Sequence, residues 1–287
     1  QLPPVVRGGE EAAHLHETYD GPFFFSIPAL VEGDGTQLLE LRKVFRQTDD
    51  TLIEVLNAIR DGEAGEREID ILNERVGPIR TLAEGRDYVI LTPTNEAANR
   101  INRAYLDALP GEEHLYDAGV IGEFNQKAQP TEAELILKQG AKVIMLRNDP
   151  DGRWVNGTVA EIAKLTAKQV WVLINGQTYE VEQASWENRR YAFDQSQEKI
   201  VETVAGTFKQ FPLRLAWALT IHKSQGLTLD KIYVDFGRGT FAHGQAYVAL
   251  SRCRTMAGLS MARPLRGGDV KFDVNATRYR DIFPALA

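Results

Sequence analysis

Apolar and polar positions change rhythm along this chain of 287 residues, and each rhythm predicts a different architecture. In "DDTLIEVLNAIRDG", Leu52, Val55, Leu56 and Ile59 recur at three- and four-residue spacing, which predicts one apolar helix face. The preceding "LLELRKVFRQ" reads as a separate segment, with the break at Gln47–Asp50 and a stop for the helix at Gly62. "YVIL" is a continuous β-branched and apolar run, the pattern of a strand covered on both faces. Asn95 is a good helix cap after it, and Ala98, Ile101, Tyr105 and Leu109 then fall at helical spacing. Strand, short loop and helix form half of a parallel βαβ unit, whose ligands sit beside the loops at the carboxyl ends of strands. "TPTN" is therefore either a functional edge or a plain connection.

Between about 141 and 212 the pattern shortens to strands separated by Gly, Asn and Asp turns, as in "AKVIMLRN", "GTVAEIAKLT", "QVWVLI" and "QTYEV". Asn175-Gly176 between two such runs predicts a type I′ hairpin. "YAFDQSQEKIVETVAGTFKQF" predicts another hairpin, and the whole stretch reads as a small inserted β-barrel. From Leu213 the α/β pattern returns: "LRLAWAL" and "KIYVDF" as strands, "GQAYVALSRCR" as a helix, "GLSM" as a closing strand. Near the start, Pro3 and Pro4 argue against a helix through "QLPPVV", which is expected to be extended, and "FFFSIPAL" is expected to be buried.

Composition narrows the class. Hydrophobic content of 43% and charged content of 25% are those of a globular protein. The longest apolar runs are about half a membrane span, and no basic, apolar leader opens the chain. No membrane partner is expected, and a cytoplasmic location, nucleoid-associated in a bacterium, is the default. A single cysteine, Cys253, excludes a disulfide framework. The net charge of −7 argues mildly against a polyanionic partner, but the charge is unevenly spread. Residues 10–74 carry sixteen acidic side chains against five basic ones, whereas residues 203–254 carry seven basic against two acidic. That basic stretch is either a polyanion site or an ordinary solvated face.

Within it lies "TIHKSQG", Thr220–Gly226, which holds the chain's only Lys followed by Ser or Thr. A phosphate-binding loop needs G-x-x-x-x-G-K-[ST], and here Ile221 and His222 occupy the approach where its last Gly belongs. The motif is thus a broken nucleotide site, a piece of core, or a different working part. His222 has no second His or Cys at ligand spacing, so no metal site is expected.

The flanking text decides among these. "LAWALTIHKSQGLTLDKIYVDF", followed by "GQAYVALSRCR" and "GLSM", closely resembles the last two motifs of superfamily-one DNA helicases, in the Pif-type and RecD-type branch that moves 5′ to 3′. "QLPPVV" is similar to the tail of the third motif, "VFRQTDD" to the fourth and "ILTPTNEAANRIN" to the next, while "KVIMLRN" and "WVNGTVAEI" resemble the entry to an SH3-like insert. The resemblance implies an α/β fold: a RecA-like parallel sheet domain with an inserted small SH3-like β-barrel. It implies residues 1–30 as the tail of a first motor domain, 31–150 with 213–287 as the second, and 151–212 as the insert. It implies an ATP-dependent helicase of which this chain is the C-terminal motor half, inactive by itself. The resemblance implies as partners single-stranded DNA and an N-terminal motor half, which would hold most of the ATP and Mg2+. Arg46 and Arg252 are implied to reach the γ-phosphate, with Gln1 as its sensor and Gln225 and Gly226 turned to the nucleotide. Thr94, Asn95, Thr220, His222, Lys223 and Ser224 are implied to grip DNA phosphates. RecD-type relatives work in nuclease complexes, which extends the expectation to repair, recombination and an exonuclease subunit. The rival readings are a non-catalytic single-strand-binding module, or a protein-interaction module derived from a helicase. Trp217 is either a base-stacking platform or core; the insert, with Trp154, Asn156, Trp171, Trp186 and Tyr191, either guides the DNA strand or helps to separate the duplex, and its clustered Trp are expected to be mostly core.

Overall fold

The computed structural model describes residues 10–19, 23–32, 36, 39, 43–194, 199–273 and 279–283. Along the chain, α1 (Glu10–Tyr19), α2 (Pro28–Val31), α3 (Asp50–Asp61), α4 (Glu66–Asn73) and α5 (Leu82–Gly85) precede β1 (Val89–Thr92) and α6 (Asn95–Asp107). Strands follow: β2 (His114–Asp117), β3 (Gly119–Gly122), β4 (Glu134–Leu137), β5 (Lys142–Met145), β6 (Val159–Leu165) and β7 (Val170–Ile174). Next come β8 (Gln177–Val181), β9 (Ala184–Asp194), β10 (Lys199–Gln210), β11 (Leu213–Leu215) and β12 (Ala218–Thr220). Then β13 (Ile232–Val234), α7 (Gln245–Leu250), β14 (Leu259–Met261) and α8 (Tyr279–Ile282) complete the described elements. The chain divides into two compact units, 1–95 with 219–287, and 96–218.

The first unit is built on a sheet of order β12-β1-β13-β14. β1 and β13 run parallel, with Val89 opposite Ile232 and Leu91 opposite Val234, and β14 extends the parallel set. Every residue of β1 and β13 is buried, which is why "YVIL" carries no polar alternation. α3 forms as its pattern predicts: Leu52, Val55, Leu56 and Ile59 are its buried residues, and Gly62 follows its end. Its start is fixed by Asp49, whose carboxylate accepts from the Leu52 amide at 3.1 Å. "FFFSIPAL" departs from expectation. Phe25 is buried, but Phe24, Ile27, Leu30 and Val31 are exposed. A 3-10 turn at Phe24–Ser26 followed by the single turn of α2 sends successive apolar side chains in different directions, and neither piece is long enough to bury a stripe.

The second unit holds a five-stranded sheet of order β11-β5-β6-β7-β8, a three-stranded sheet β3-β10-β9 and the pair β2-β4. The predicted type I′ turn joins β7 to β8, with Asn175 at φ 50° and Gly176 at φ 80° between Ile174 and Gln177. β9 and β10 make the second hairpin, paired from Asp194–Lys199 down to Ala184–Gln210. Strand structure begins at β2, upstream of the shift in texture that the sequence signals near residue 141. "LRLAWAL" is not one strand. Leu213–Leu215 pairs antiparallel with β5, whereas Ala218–Thr220 joins the β1 sheet, and the run breaks at Ala216 and Trp217. Trp217 is 2% exposed and stacks on Tyr105 at 5.5 Å between ring centroids, so it is core. Trp154 is likewise buried, with the Arg153 guanidinium over its ring. Trp171 and Trp186 are half-buried under Lys164 and Arg147, and the Tyr191 side chain lies outside the described residues.

The buried Asn102 carboxamide fastens α6 to the start of β12. Its Nδ2 donates to the Ala218 carbonyl and its Oδ1 accepts from the Ala218 amide, both at 2.8 Å. Asn102→Leu leaves a buried N–H and a buried C=O without partners and should cost about 3 kcal/mol. Denaturant unfolding of the variant checks this; a midpoint unchanged from wild type contradicts the clamp.

Candidate functional site

Two segments far apart in the chain are stitched residue by residue. Arg46 Nη1 lies 3.5 Å from the Ser251 carbonyl, and the buried Gln47 amide donates to the carbonyls of Ser251 at 2.8 Å and Cys253 at 3.1 Å. The Thr48 amide donates to Arg254 O at 3.2 Å, and the second Asp49 carboxylate oxygen accepts from the Met256 amide at 3.0 Å. Asp49 therefore caps α3 and anchors 251–256 at once. This zipper sets Arg46 beside the turn that carries Arg252.

Arg252 is only 4% exposed. Its Nε donates to Val248 O at 2.8 Å, Nη1 to Leu227 O at 3.2 Å, and Nη2 to Ser251 Oγ at 2.7 Å. Three of its five N–H groups are thereby used, and among the described residues the others have no protein acceptor. Burial, then the nearby Arg46 charge, lower its pKa to about 10, so it stays protonated at neutral pH. Arg46 donates from Nε to Thr228 Oγ1 at 3.2 Å. No carboxylate pairs with either guanidinium among the described residues. Two cations held together, one of them desolvated, favour an anion between them.

The other candidates lie on loops that leave neighbouring strands. Thr94 and Asn95 follow β1 and are exposed. The Ile221 amide donates to Thr92 O at 2.9 Å, which ties the turn after β12 to the β1 end. In that turn His222 is half-buried, while Lys223, Gln225 and Gly226 are exposed. Thr220 and Ser224 face inward, in contrast to the phosphate-gripping expectation. Ser224 is 0% exposed and its hydroxyl donates to Ile221 O at 2.8 Å; Thr220 Oγ1 accepts from the Lys223 amide at 3.2 Å. As placed, these hydroxyls brace the turn. Gln1 lies outside the described residues. Sequence reasoning missed Gln47, which makes two of the five zipper bonds, Gln245, whose buried amide nitrogen is unpartnered among the described residues, and Phe241, which stands exposed beside His222. The "FRQ" resemblance touched Gln47 without giving it a role, and no periodicity marks the other two.

Known proteins resemble this chain in sequence and in fold. A family model described as "Helicase" matches residues 198–283. The ATP-dependent DNA helicase Pif1 of Bdellovibrio bacteriovorus is 34% identical over 267 residues, which cover 91% of this chain and 55% of that protein. The human ATP-dependent DNA helicase PIF1 is 31% identical over 275 residues, covering 90% of this chain and 38% of the relative. Unliganded Pif1 from Bacteroides sp. superposes with a TM-score of 0.80 at 34% identity, over 98% of this chain and 65% of that one. The chain is similar to Pif1-type helicases. Bacteroides Pif1 has been crystallised with ADP-AlF4, where the TM-score is 0.79, and bound to single-stranded DNA, where it is 0.71. The chain spans about half or less of these curated Pif1 relatives and about two thirds of the Bacteroides structure. The mixed α/β architecture with a parallel sheet agrees with that of Bacteroides Pif1. Among the described residues no helix is long and apolar enough to cross a membrane, and no group of three His, Cys, Asp or Glu is placed to hold a metal ion.

Proposed function

We propose that this chain supplies the second RecA-like motor domain of a superfamily-one, ATP-dependent 5′-to-3′ DNA helicase, with an SH3-like insert in its strand-rich unit. The observation that carries the reading is the convergence of Arg46 and Arg252 with no carboxylate paired to either among the described residues. A γ-phosphate presented by the first motor half meets two fixed guanidinium groups, which stabilise the charge spread over the transferring phosphoryl oxygens. Gln225 and Gly226 border the nucleotide, Gln1 senses its γ-phosphate, and the first motor half holds most of the ATP and magnesium. The chain by itself is then inactive as an ATPase.

On the opposite task, Lys223, His222, Thr94 and Asn95 contact phosphates of single-stranded DNA without reading bases, as a motor that accepts any sequence requires. Thr220 and Ser224 hold the turn in shape for that grip. Hydrolysis removes the anion between the arginines, and the turn at 220–228, which Arg46 and Arg252 both touch, carries the change to the DNA side. The test is ATP-driven unwinding by the full-length parent on duplexes with a 5′ or a 3′ tail. Strong preference for the 5′ tail is expected. Equal or reversed preference overturns the polarity, and no ATP-dependent unwinding on either favours a non-catalytic binding module.

A further inference from the structure

Phe241 is 60% exposed on the loop that follows β13, although a large aromatic side chain loses most by facing water. Its ring lies nearly parallel to His222, 16° apart with centroids at 6.0 Å. The rings thus form a flat pair, and Lys223, the residue after His222 in the chain, is exposed. The three loops concerned leave β12, β1 and β13, consecutive strands of one sheet, so the exposed aromatic, the cation and the Thr94–Asn95 pair share one edge. That combination is what a sequence-tolerant single-strand site needs: a phosphate contact beside a π-face on which any base stacks.

The pose of the loop is set from within. Gln245, 0% exposed at the start of α7, accepts from the Phe241 amide through Oε1 at 3.0 Å. Its own backbone amide reaches Ala242 O at 3.4 Å, and Gly244 N donates to Lys271 O at 2.9 Å. The Gln245 Nε2 is buried without a partner among the described residues, a cost accepted for holding that acceptor in place.

We propose that Phe241 is a base-stacking platform for single-stranded nucleic acid, backed by His222, with Gln245 as the residue that positions it. The inference rests on the single-strand reading above and adds a contact to the base where that reading has only phosphate contacts. It is tested in the full-length parent by measuring affinity for a thymidine oligonucleotide and for one of equal length with abasic sites across the footprint. Phe241→Ala should weaken binding roughly tenfold to a hundredfold on the intact oligonucleotide and leave the abasic one unchanged. Phe241→Trp should retain the preference for intact bases. Gln245→Met, which keeps the volume but loses the acceptor, should reduce that preference without altering abasic binding. Equal losses on both oligonucleotides mean that the ring only props the loop, and no loss on either means that no base reaches it; both results overturn the proposal. If the wild-type parent binds neither oligonucleotide, the underlying single-strand reading fails with it.

Discussion

Arg252→Ala in the full-length parent should bind ATP nearly as wild type does and hydrolyse it roughly 10³–10⁵ times more slowly. The expectation follows from where the donors point. Three N–H groups of Arg252 are spent on Val248, Leu227 and Ser251, which fixes the guanidinium plane before any nucleotide arrives. A pre-set donor stabilises charge that appears only in the transition state, so its loss falls on turnover rather than on binding. Arg252→Lys should rescue little, because an ammonium cannot keep those three contacts and still reach outward as a planar fork. Folding should lose about 1–3 kcal/mol, since Val248 O, Leu227 O and Ser251 Oγ each lose a buried donor. Single-turnover kinetics with a parallel thermal melt separates the two effects. Near-normal hydrolysis by the alanine variant removes Arg252 from the site.

Gly258→Ala should destabilise the first unit by about 2–3 kcal/mol and lower its melting temperature by several degrees. A methyl group there would meet the Asp230 carbonyl oxygen at 2.0 Å and Cys253 Sγ at 3.0 Å, and backbone cannot swing aside as a long side chain can. The strain falls on the turn at 253–258, the strand of the zipper that receives Gln47, Thr48 and Asp49. Gly267→Ala and Gly268→Ala, where an added Cβ meets nothing within 4 Å, serve as controls and should be neutral. Equal melting of all three variants contradicts the close approach at Gly258.

Much of this was legible because local chemistry and long-range packing agree at the relevant residues. The apolar stripe of α3, the buried run of β1 and the Asn175-Gly176 turn each follow from spacing alone. The helicase resemblance reached Arg46 and Arg252, whose convergence no single-segment pattern contains. Other features are set by tertiary partners. The helical period of "GQAYVALSRCR" persists through Cys253, yet α7 ends at Leu250 because Arg252 O accepts from the Leu229 amide instead. An unbroken apolar run such as "LRLAWAL" carries no mark of the point where the chain leaves one sheet for another. A hydroxyl in a turn serves a ligand or the backbone with equal ease, so Thr220 and Ser224 could not be assigned a direction from sequence. Phe241 sits in a Gly-rich loop without period, where nothing separates an exposed ring from a buried one.

The zipper between 46–49 and 251–256 joins residues more than two hundred positions apart, as the separations of 204 to 206 in the Gln47 and Arg46 bonds record. Closing so long a loop early in folding is entropically slow, and a chain still emerging from the ribosome cannot close it at all. The intervening unit changes that arithmetic. Once 96–218 has folded, Asn102 holds Ala218, so the unit's two ends are already neighbours and most of the loop has been removed. The zipper that seats the arginine pair then closes across a much shorter effective loop than its separation along the sequence implies.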